Sequence, residues 1–225
     1  MTTTWGIMST GRIAGDFARD IRAVPDAVIG AVGSRSAAAG KEFSQKFAIP
    51  TVHASAESLA NDPSIDAVYI AGIHPVHREH AILMMEAGKH VLVEKPLAMN
   101  ATEAAEMTAV ARRTNRFLME AMWMRFNPLH VEIKRRLDSG EFGSVRAIET
   151  DFSFVGPDDP THRLFDPTKG GGSLLDVGVY PITLAWWLVG APDQWNAEVV
   201  IGNTGVDVSA ALELTWTSRA RASLQ

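Results

Sequence analysis

Three short segments of the sequence hold residues that can bind an anion, place a charge near a ligand or move a proton. They are residues 9–13, the triplet Glu94-Lys95-Pro96, and the glycine-rich residues 170–180. Glycine lets a backbone approach a ligand closely, while lysine and tyrosine are side chains that serve in general acid–base catalysis. Together these segments indicate a binding site for a cofactor that carries phosphate and a site of proton transfer.

The first segment follows a predicted strand over residues 4–8 and precedes a predicted helix over residues 12–22. It fits a dinucleotide-binding turn with Ser9 in the first glycine position, Gly11 in the second and Ala14 in the third. The central glycine would let the backbone approach a pyrophosphate, which the amides at the helix N-terminus would hold. An ordinary strand–turn–helix with incidental glycines has the same pattern. The predicted cofactor contacts in this segment are Ser9, Thr10, Gly11, Arg12 and Ile13.

The end of the second predicted strand, over residues 27–33, indicates which nicotinamide cofactor is used. An NAD site usually places an acidic residue there, about 20 residues after the glycine turn, to bind the ribose hydroxyls. This sequence has Ser34 and Arg35 instead, and their hydroxyl and guanidinium groups can bind a 2′-phosphate. A solvated arginine at a strand end is the alternative. We therefore predict NADP as the cofactor, with NAD as the second choice.

The triplet Glu94-Lys95-Pro96 follows a predicted strand over residues 90–93, which should end at the cofactor-binding edge of the sheet. Proline biases the residue before it away from the helical region, and this directs the Lys95 side chain into the crevice. A lysine in that position can carry charge to a substrate hydroxyl or lower the pKa of a neighbouring acid. The same triplet also occurs in surface turns, so the interpretation depends on its position. We predict that Glu94 and Lys95 contact the cofactor.

Ile73, His74 and His77 open the helix that follows a predicted strand over residues 67–71, again at the C-terminal edge of the sheet. With His80 the histidines suggest zinc, but no acidic ligands accompany them, and we predict no metal site. We expect Ile73, His74 and His77 to contact the cofactor. For each histidine, a structural side chain satisfied by protein hydrogen bonds is an equal alternative.

The glycine triplet at residues 170–172 precedes a predicted helix over residues 173–189. The glycines permit close approach of the backbone to a ligand, and Ser173 is a candidate N-cap.

Asp176 and Tyr180 are four residues apart in this helix and should share one face. Pro181 should kink the helix or begin a new turn directly after the tyrosine. We predict that Asp176 and Tyr180 bind the substrate. The alternative is a buried tyrosine that is hydrogen-bonded to a capping aspartate.

The pattern of elements predicts two domains. The first half alternates apolar runs with helix-period segments, typical of a parallel sheet covered on both faces. We predict an α/β fold with a Rossmann-type doubly wound parallel sheet over residues 1–121 and an α+β domain with an open, mostly antiparallel sheet over residues 122–225. A strand predicted over residues 145–155 begins the second sheet. The chain stops just after a predicted strand at residues 221–224, so we expect the second domain to be incomplete.

Trp123, Arg125 and Phe126 lie at the predicted junction of the two domains. We predict that they form a wall of the substrate pocket; the alternative is that they pack the junction.

Composition excludes several classes of function. The 225 residues carry a net charge of −5 and no basic block, which disfavours binding to nucleic acid. We find no run of about 18 apolar residues and therefore predict no membrane span. The N-terminus lacks the features of a secretory signal, and the absence of cysteine suits a cytoplasmic protein.

The order of these motifs resembles the glucose–fructose oxidoreductase/inositol dehydrogenase (Gfo/Idh/MocA) family. The resemblance rests on residues 5–14, on Glu94-Lys95-Pro96, on residues 119–126, and on the glycine triplet followed by Asp176 and Tyr180. Within the family it is closest to the branch of dimeric dihydrodiol dehydrogenases and NADP-dependent D-xylose dehydrogenases. Other branches carry histidine at the position of Tyr180.

The resemblance implies an NADP-dependent oxidoreductase that transfers a hydride to or from a hydroxyl or carbonyl group of a sugar or cyclic diol. It implies that Lys95 and Tyr180 are catalytic, that Asp176 is their partner in the active site, and that the open sheet forms a homodimer. Tyr180 would remove the hydroxyl proton while the Lys95 charge favours its phenolate, and Asp176 would orient a substrate hydroxyl or the lysine.

Two other interpretations stay open. A nicotinamide-binding sensor or regulatory protein of the same fold would bind the cofactor without turnover, since fold does not fix function. Family members are usually about a hundred residues longer. The second interpretation is therefore that the chain is an inactive fragment.

Overall fold

A computed structural model describes residues 2–225 and divides the chain into two compact units, Met1–Ala121 and Met122–Gln225. The first unit contains a six-stranded sheet in which every paired neighbour is parallel. Its strands are β1 (Thr3–Met8), β2 (Ala27–Gly33), β3 (Thr51–His53), β4 (Ala67–Ile70), β5 (His90–Val93) and β6 (Leu118–Glu120). Its helices are α1 (Arg12–Asp20), α2 (Ala37–Phe47), α3 (Ala56–Ala60), α4 (His77–Glu86) and α5 (Ala101–Thr114).

The strand order β3-β2-β1-β4-β5-β6 is that of the Rossmann fold. The direction of winding reverses between β1 and β4, and in such sheets ligands bind at this switch point, beyond the carboxyl ends of the strands. The predicted doubly wound parallel sheet is therefore confirmed. The sixth strand, β6, has only three residues, and its sequence Leu-Met-Glu lacks the β-branched side chains that mark the other strands.

Apolar side chains cover both faces of the parallel sheet. All four residues of β4 are buried, as expected of a strand between two helical layers. Ile7 and Met8 are neighbours in β1 but belong to different core clusters, because successive side chains of a strand point to opposite faces. The same alternation separates Val68 from Tyr69 in β4. This double burial explains why the strands are nearly continuous apolar runs.

The second unit contains a four-stranded sheet in the order β7-β10-β9-β8, in which β7 pairs with β10 in parallel and the other two pairs are antiparallel. The prediction of a mostly antiparallel sheet is confirmed. The elements are α6 (Pro128–Asp138), β7 (Ala147–Thr150), α7 (Val179–Val189), β8 (Gln194–Ile201), β9 (Asp207–Thr215) and β10 (Arg221–Leu224). Strand β7 is much shorter than the predicted residues 145–155. In this sheet it pairs only with β10, over four residues.

One stretch, Pro167–Val189, is long and apolar enough to cross a membrane by length and composition, with a mean hydropathy of 1.3. This corrects the prediction that no such run exists. The stretch is not one α-helix, because a short turn at Pro167–Lys169 ends at Gly170 in the left-handed conformation. The regular helix α7 has 11 residues, about half of the 20 or so that a span needs. Ala185 of α7 is fully buried in the core of this unit, so the helix packs on its own sheet.

Candidate active site

The loops that carry the predicted cofactor contacts meet at one edge of the parallel sheet. Hydrogen bonds join these loops just beyond the strands: Ser9 N–H donates to Gly33 O at 3.0 Å, and Ala71 N–H donates to Met8 O at 3.0 Å. Glu94 N–H donates in the same way to Ile70 O at 2.9 Å. The structure therefore places the turn after β1, the turn after β2 and the loops after β4 and β5 side by side.

The turn after β1 is shaped by Ser9, which adopts a φ of 120°. This region of backbone space favours glycine, the residue that the dinucleotide-binding pattern expects at the first position. The Ser9 Oγ accepts a hydrogen bond from Gly11 N–H at 3.3 Å. Gly11 is the N-cap of α1 and has extended backbone angles, so the helix begins directly after it.

The residues of this turn fit a dinucleotide. The first turn of α1 contains no acidic residue, and no side chain caps its N-terminus, so its amides point to a position that favours an anion. Ala14, in the third position of the pattern, is fully buried, which allows the close packing of helix and strand that the pattern requires. The Arg12 side chain is 97% exposed, so it can move to meet a phosphate.

Ser34 and Arg35 have different environments at the end of β2. Ser34 is buried, and its hydroxyl donates to Ser36 O at 3.0 Å and accepts from Ser36 N–H at 3.2 Å. Its hydroxyl therefore holds the turn that leads into α2, whose N-cap is Ser36. Arg35 is exposed beside it. The structure thus favours the guanidinium over the Ser34 hydroxyl as the group that can reach a 2′-phosphate.

Two carboxylates fix the backbone on either side of Lys95. Glu94 lies next to it and accepts hydrogen bonds from the hydroxyl of Tyr69 and, at 3.2 Å, from Lys95 N–H. Burial raises the pKa of Glu94 above its usual value. Glu120 Oε1 accepts from Leu97 N–H at 2.7 Å. The peptide bond between Lys95 and Pro96 is cis. Sequence analysis gave neither Tyr69 nor Glu120 a role: Tyr69 lies inside an apolar strand, and Glu120 lies in residues 119–126, which supported the family resemblance without assigning a function to this carboxylate.

His77 links the loop after β4 to the loop after β5. It is fully buried, with Nδ1 2.9 Å from Pro96 O and Nε2 3.1 Å from Gly72 O. Burial lowers the pKa of this imidazole. Both ring nitrogens face protein carbonyls, which favours the structural alternative for His77, and its contact with the cofactor stays a prediction. His74 is also buried, with its ring centroid 5.8 Å from that of His77, while Ile73 is partly exposed.

In the second unit the glycine triplet packs against its own chain. A Cβ atom at Gly171 would lie 2.7 Å from Leu164 O and 2.8 Å from Arg163 O, and one at Gly172 would overlap the Asp207 carboxylate. Close packing against the protein therefore accounts for Gly171 and Gly172, and the approach of this backbone to a ligand stays a prediction. They let two other segments of the protein approach, and the sequence could not distinguish the two cases.

The helix after the triplet begins differently from the prediction. Ser173 stands at the predicted N-cap position of this helix, but it has helical backbone angles and its side chain makes no capping hydrogen bond. The first residues form a π-helical turn, Leu174–Gly178, before α7 begins at Val179. The new turn predicted directly after Tyr180 does not begin at Pro181: α7 runs through the proline to Val189, and the change of helix type lies earlier, at Gly178–Val179. Such π-turns are frequent at functional sites.

Two aromatic side chains, both partly exposed, lie next to Tyr180. Its hydroxyl accepts a hydrogen bond from the indole Nε1–H of Trp123 at 2.9 Å. The ring centroids of Trp123 and Phe152 lie 5.8 Å and 5.3 Å from that of Tyr180. A donor aimed at a phenol oxygen stabilises the phenolate, so this arrangement suits a tyrosine that takes up a proton. Phe152 was not among the predicted site residues.

Asp176 is held by an arginine that sequence analysis also missed. Its Oδ1 accepts from Arg163 Nη1 at 3.0 Å, and the carboxylate is almost fully buried whereas the guanidinium is half exposed. Arg163 lies 13 residues earlier in a long irregular loop, where no periodicity relates it to the helix. Asp176 also lines a cavity of about 360 Å³ in this unit, together with Phe152, Phe154 and Asp207.

Arg125 and Phe126 share the short turn Trp123–Phe126 with Trp123. The Arg125 guanidinium lies 5.6 Å from the ring centroid of Trp187 on α7, a cation–π distance. Phe126 is 62% exposed. Arg125 thus packs within the second unit, whereas Phe126 is largely exposed. The role of both side chains in binding substrate stays a prediction.

Comparison with known proteins agrees with this geometry. A family model described as an oxidoreductase family with an NAD-binding Rossmann fold (GFO_IDH_MocA) matches residues 3–122, and the model of the GFO/IDH/MocA C-terminal domain matches residues 130–225. The chain belongs to the GFO/IDH/MocA oxidoreductase family. The resemblance noted in the sequence is therefore confirmed.

Several members of the GFO/IDH/MocA family are similar over the whole chain. Trans-1,2-dihydrobenzene-1,2-diol dehydrogenase of Xenopus laevis is 39% identical over 228 residues, which cover 100% of this chain and 68% of the relative. The enzyme of that name from Danio rerio is 41% identical, covering 96% of this chain and 66% of the relative. A 3-ketoreductase from Actinomadura kijaniata, solved with NADP and TDP-benzene, superposes with a TM-score of 0.91 at 30% identity, covering 100% of this chain and 69% of that one.

Proposed function

We propose that this chain is an NADP-dependent oxidoreductase that moves a hydride between the nicotinamide and a CH–OH or carbonyl carbon of a sugar or cyclic diol. The observation that carries the proposal is Tyr180, whose hydroxyl is held by the Trp123 indole and flanked by Phe152. The fit of the turn after β1 to a dinucleotide, and the diol dehydrogenases and ketoreductase among the relatives, support it.

Each of the site residues has its own role in the proposed reaction. In the oxidation direction Tyr180, as the phenolate, takes the proton from the substrate hydroxyl and becomes the neutral phenol. The Trp123 N–H and the charge of Lys95 favour the phenolate form that is needed before this step. Asp176, fixed by Arg163, orients a neighbouring hydroxyl of the substrate. A nicotinamide cofactor held by the turn after β1 would supply the acceptor for the hydride that leaves the carbon bearing the reacting hydroxyl. In the reduction direction Tyr180 returns the proton.

A panel of sugars and cyclic diols, assayed with NADP by the absorbance of NADPH, tests the proposed function. We expect turnover with at least one vicinal diol or sugar hemiacetal. NADPH binding by fluorescence without turnover across the panel and its carbonyl counterparts would instead indicate a sensor.

The choice of NADP over NAD depends on Arg35. We predict that Arg35→Ala raises KM for NADP about 10- to 100-fold, because a charge-assisted hydrogen bond contributes about 1.5–3 kcal/mol. KM for NAD should hardly change, since NAD has no 2′-phosphate. Steady-state kinetics with both cofactors measure the effect, and Lys46→Ala, an exposed cation in the last turn of α2, is the matched control. An equal rise in KM for both cofactors would contradict this role.

The Trp123–Tyr180 hydrogen bond predicts a change in pH dependence. Oxidation should speed up as pH rises and Tyr180 loses its proton. Trp123→Phe removes the donor that stabilises the phenolate, so the midpoint of the kcat profile should move up by about 1 pH unit, the equivalent of one hydrogen bond. Trp186→Phe, a half-exposed indole on α7, is the control and should leave the midpoint in place. A Trp123→Phe midpoint equal to that of the wild type would exclude this role for the indole.

We also propose that the chain forms a homodimer through the sheet of the second unit. Every residue of β8 is exposed, including Trp195 at 71%, Val200 at 59% and Ile201 at 60%. Apolar surface of this kind on an open sheet marks an interaction site. Sedimentation velocity measures the oligomeric state, and a monomer at all concentrations would contradict the proposal.

A further inference from the structure

The helical segment that carries Asp176 and Tyr180 is bound at its start by a carboxylate from a distant strand. Asp207 is the first residue of β9, and its Oδ2 accepts from Ser173 Oγ–H at 2.7 Å and from Leu174 N–H at 2.6 Å. The first amides of a helix have no acceptor within the helix, so this carboxylate supplies one from outside. The bonds are charge-assisted, and the negative charge also suits the positive end of the helix.

The sequence around the contact is built to admit this carboxylate. Gly172 has a φ of 126°, and a Cβ atom at this position would overlap Asp207 Oδ1. Gly172 N–H donates to Leu164 O at 3.0 Å, one residue after Arg163. The same short region therefore receives Asp207 on one side and the loop that holds Asp176 on the other.

We propose that Asp207 is a positioning residue for the active site: it fixes the start of the helical segment and thereby the place of Asp176 and Tyr180. This inference rests on the proposed function of Tyr180. Asp176 lies two residues after Leu174, within the π-turn, and Tyr180 follows one turn later. Release of the Leu174 amide would let the π-turn rewind, and a change in helical winding rotates every later side chain. Asp207 itself moves no proton in this account.

The experiment compares Asp207→Leu with Asp207→Asn. Leucine is similar in size but accepts no hydrogen bond, whereas the amide oxygen of asparagine can still accept from both donors. We expect Asp207→Leu to lower kcat about 10²-fold, the loss that a misplacement of about 1 Å can cause, with little change in KM for NADPH. Asparagine should restore most of kcat.

Trp216→Phe provides the control for a general loss of stability. The Trp216 indole donates to Gly190 O at 3.0 Å, at the other end of the same helix. Both variants remove hydrogen bonds from one helix, but only Asp207 binds the end that carries the site. At a temperature well below the Tm of both variants, Trp216→Phe should keep kcat near that of the wild type. Equal losses of kcat in Asp207→Leu and Trp216→Phe, or no loss in Asp207→Leu, would overturn the proposal.

Hydrogen–deuterium exchange separates this inference from the proposed function. In Asp207→Leu we expect faster amide exchange at residues 174–180 and unchanged exchange at residues 186–190, with the reverse in Trp216→Phe. This readout does not need turnover. A wild-type chain without turnover would refute the proposed function, whereas unchanged exchange at residues 174–180 in Asp207→Leu would refute the anchoring by Asp207.

Discussion

Tyr180→Phe is expected to lower kcat by about 10²- to 10⁴-fold, the usual contribution of a general acid–base group. The substitution removes only the hydroxyl oxygen that accepts the Trp123 hydrogen bond. Phenylalanine keeps the ring contacts with Trp123 and Phe152, so the fold of the second unit should persist. Initial rates of NADPH formation measure the effect.

The loss should fall on kcat and leave cofactor binding unchanged. The predicted cofactor contacts lie in the first unit, whereas Tyr180 lies in the second. A fluorescence titration with NADPH should therefore give the same Kd for Tyr180→Phe and the wild type. If Tyr180→Phe retained near-wild-type turnover, another group would have to move the proton.

Lys95→Ala is expected to lower kcat by about 10²- to 10³-fold, as does the loss of one preorganised charge-stabilising donor in other enzymes. Lys95 sits between two backbone positions fixed by Glu94 and Glu120, so its backbone is held before the substrate binds. Removal of the ammonium leaves this frame in place. Kinetics at saturating cofactor measure the loss.

Lys95→Arg separates charge from geometry. Arginine keeps the positive charge but presents a planar, longer group, so we expect an intermediate rate. A Lys95→Ala enzyme with an unchanged rate would remove this residue from the mechanism. A Lys95→Arg enzyme as slow as Lys95→Ala would show that the position of the ammonium matters more than its charge.

The fold of the first unit could be predicted from its sequence because its main strands are nearly continuous apolar runs, and the central strand β4 is buried on both faces. The apolar run at residues 27–33 coincides with β2, and the run at residues 90–93 coincides with β5. The predicted first glycine position also falls on Ser9, the residue with positive φ at the turn after β1. Local patterns of this kind fix local backbone, and so they can be predicted.

The interactions that hold the site residues in place could not be predicted from the sequence, because they join segments that are far apart in the chain. Arg163 reaches Asp176 from an irregular loop, and Asp207 reaches Leu174 from 33 residues away. The glycine triplet illustrates the same point: a run of glycines predicts a close approach of the backbone, but the sequence does not show that Leu164 and Asp207 are the groups that approach Gly171 and Gly172. The sequence predicts Ser173 as the cap, whereas the carboxylate that accepts from the Leu174 amide is Asp207, which belongs to a distant strand.

The double variant Lys95→Ala/Tyr180→Phe tests most directly whether the two residues act as one acid–base unit. When two groups act as one unit, removing either of them already abolishes the contribution of both. The double variant should therefore have a kcat no more than about threefold below that of the slower single variant. The measurement is kcat for all four enzymes under the same saturating conditions, with NADPH binding confirmed for each. If the two single losses multiplied in the double variant, Lys95 and Tyr180 would act independently, and the proposed mechanism would be wrong.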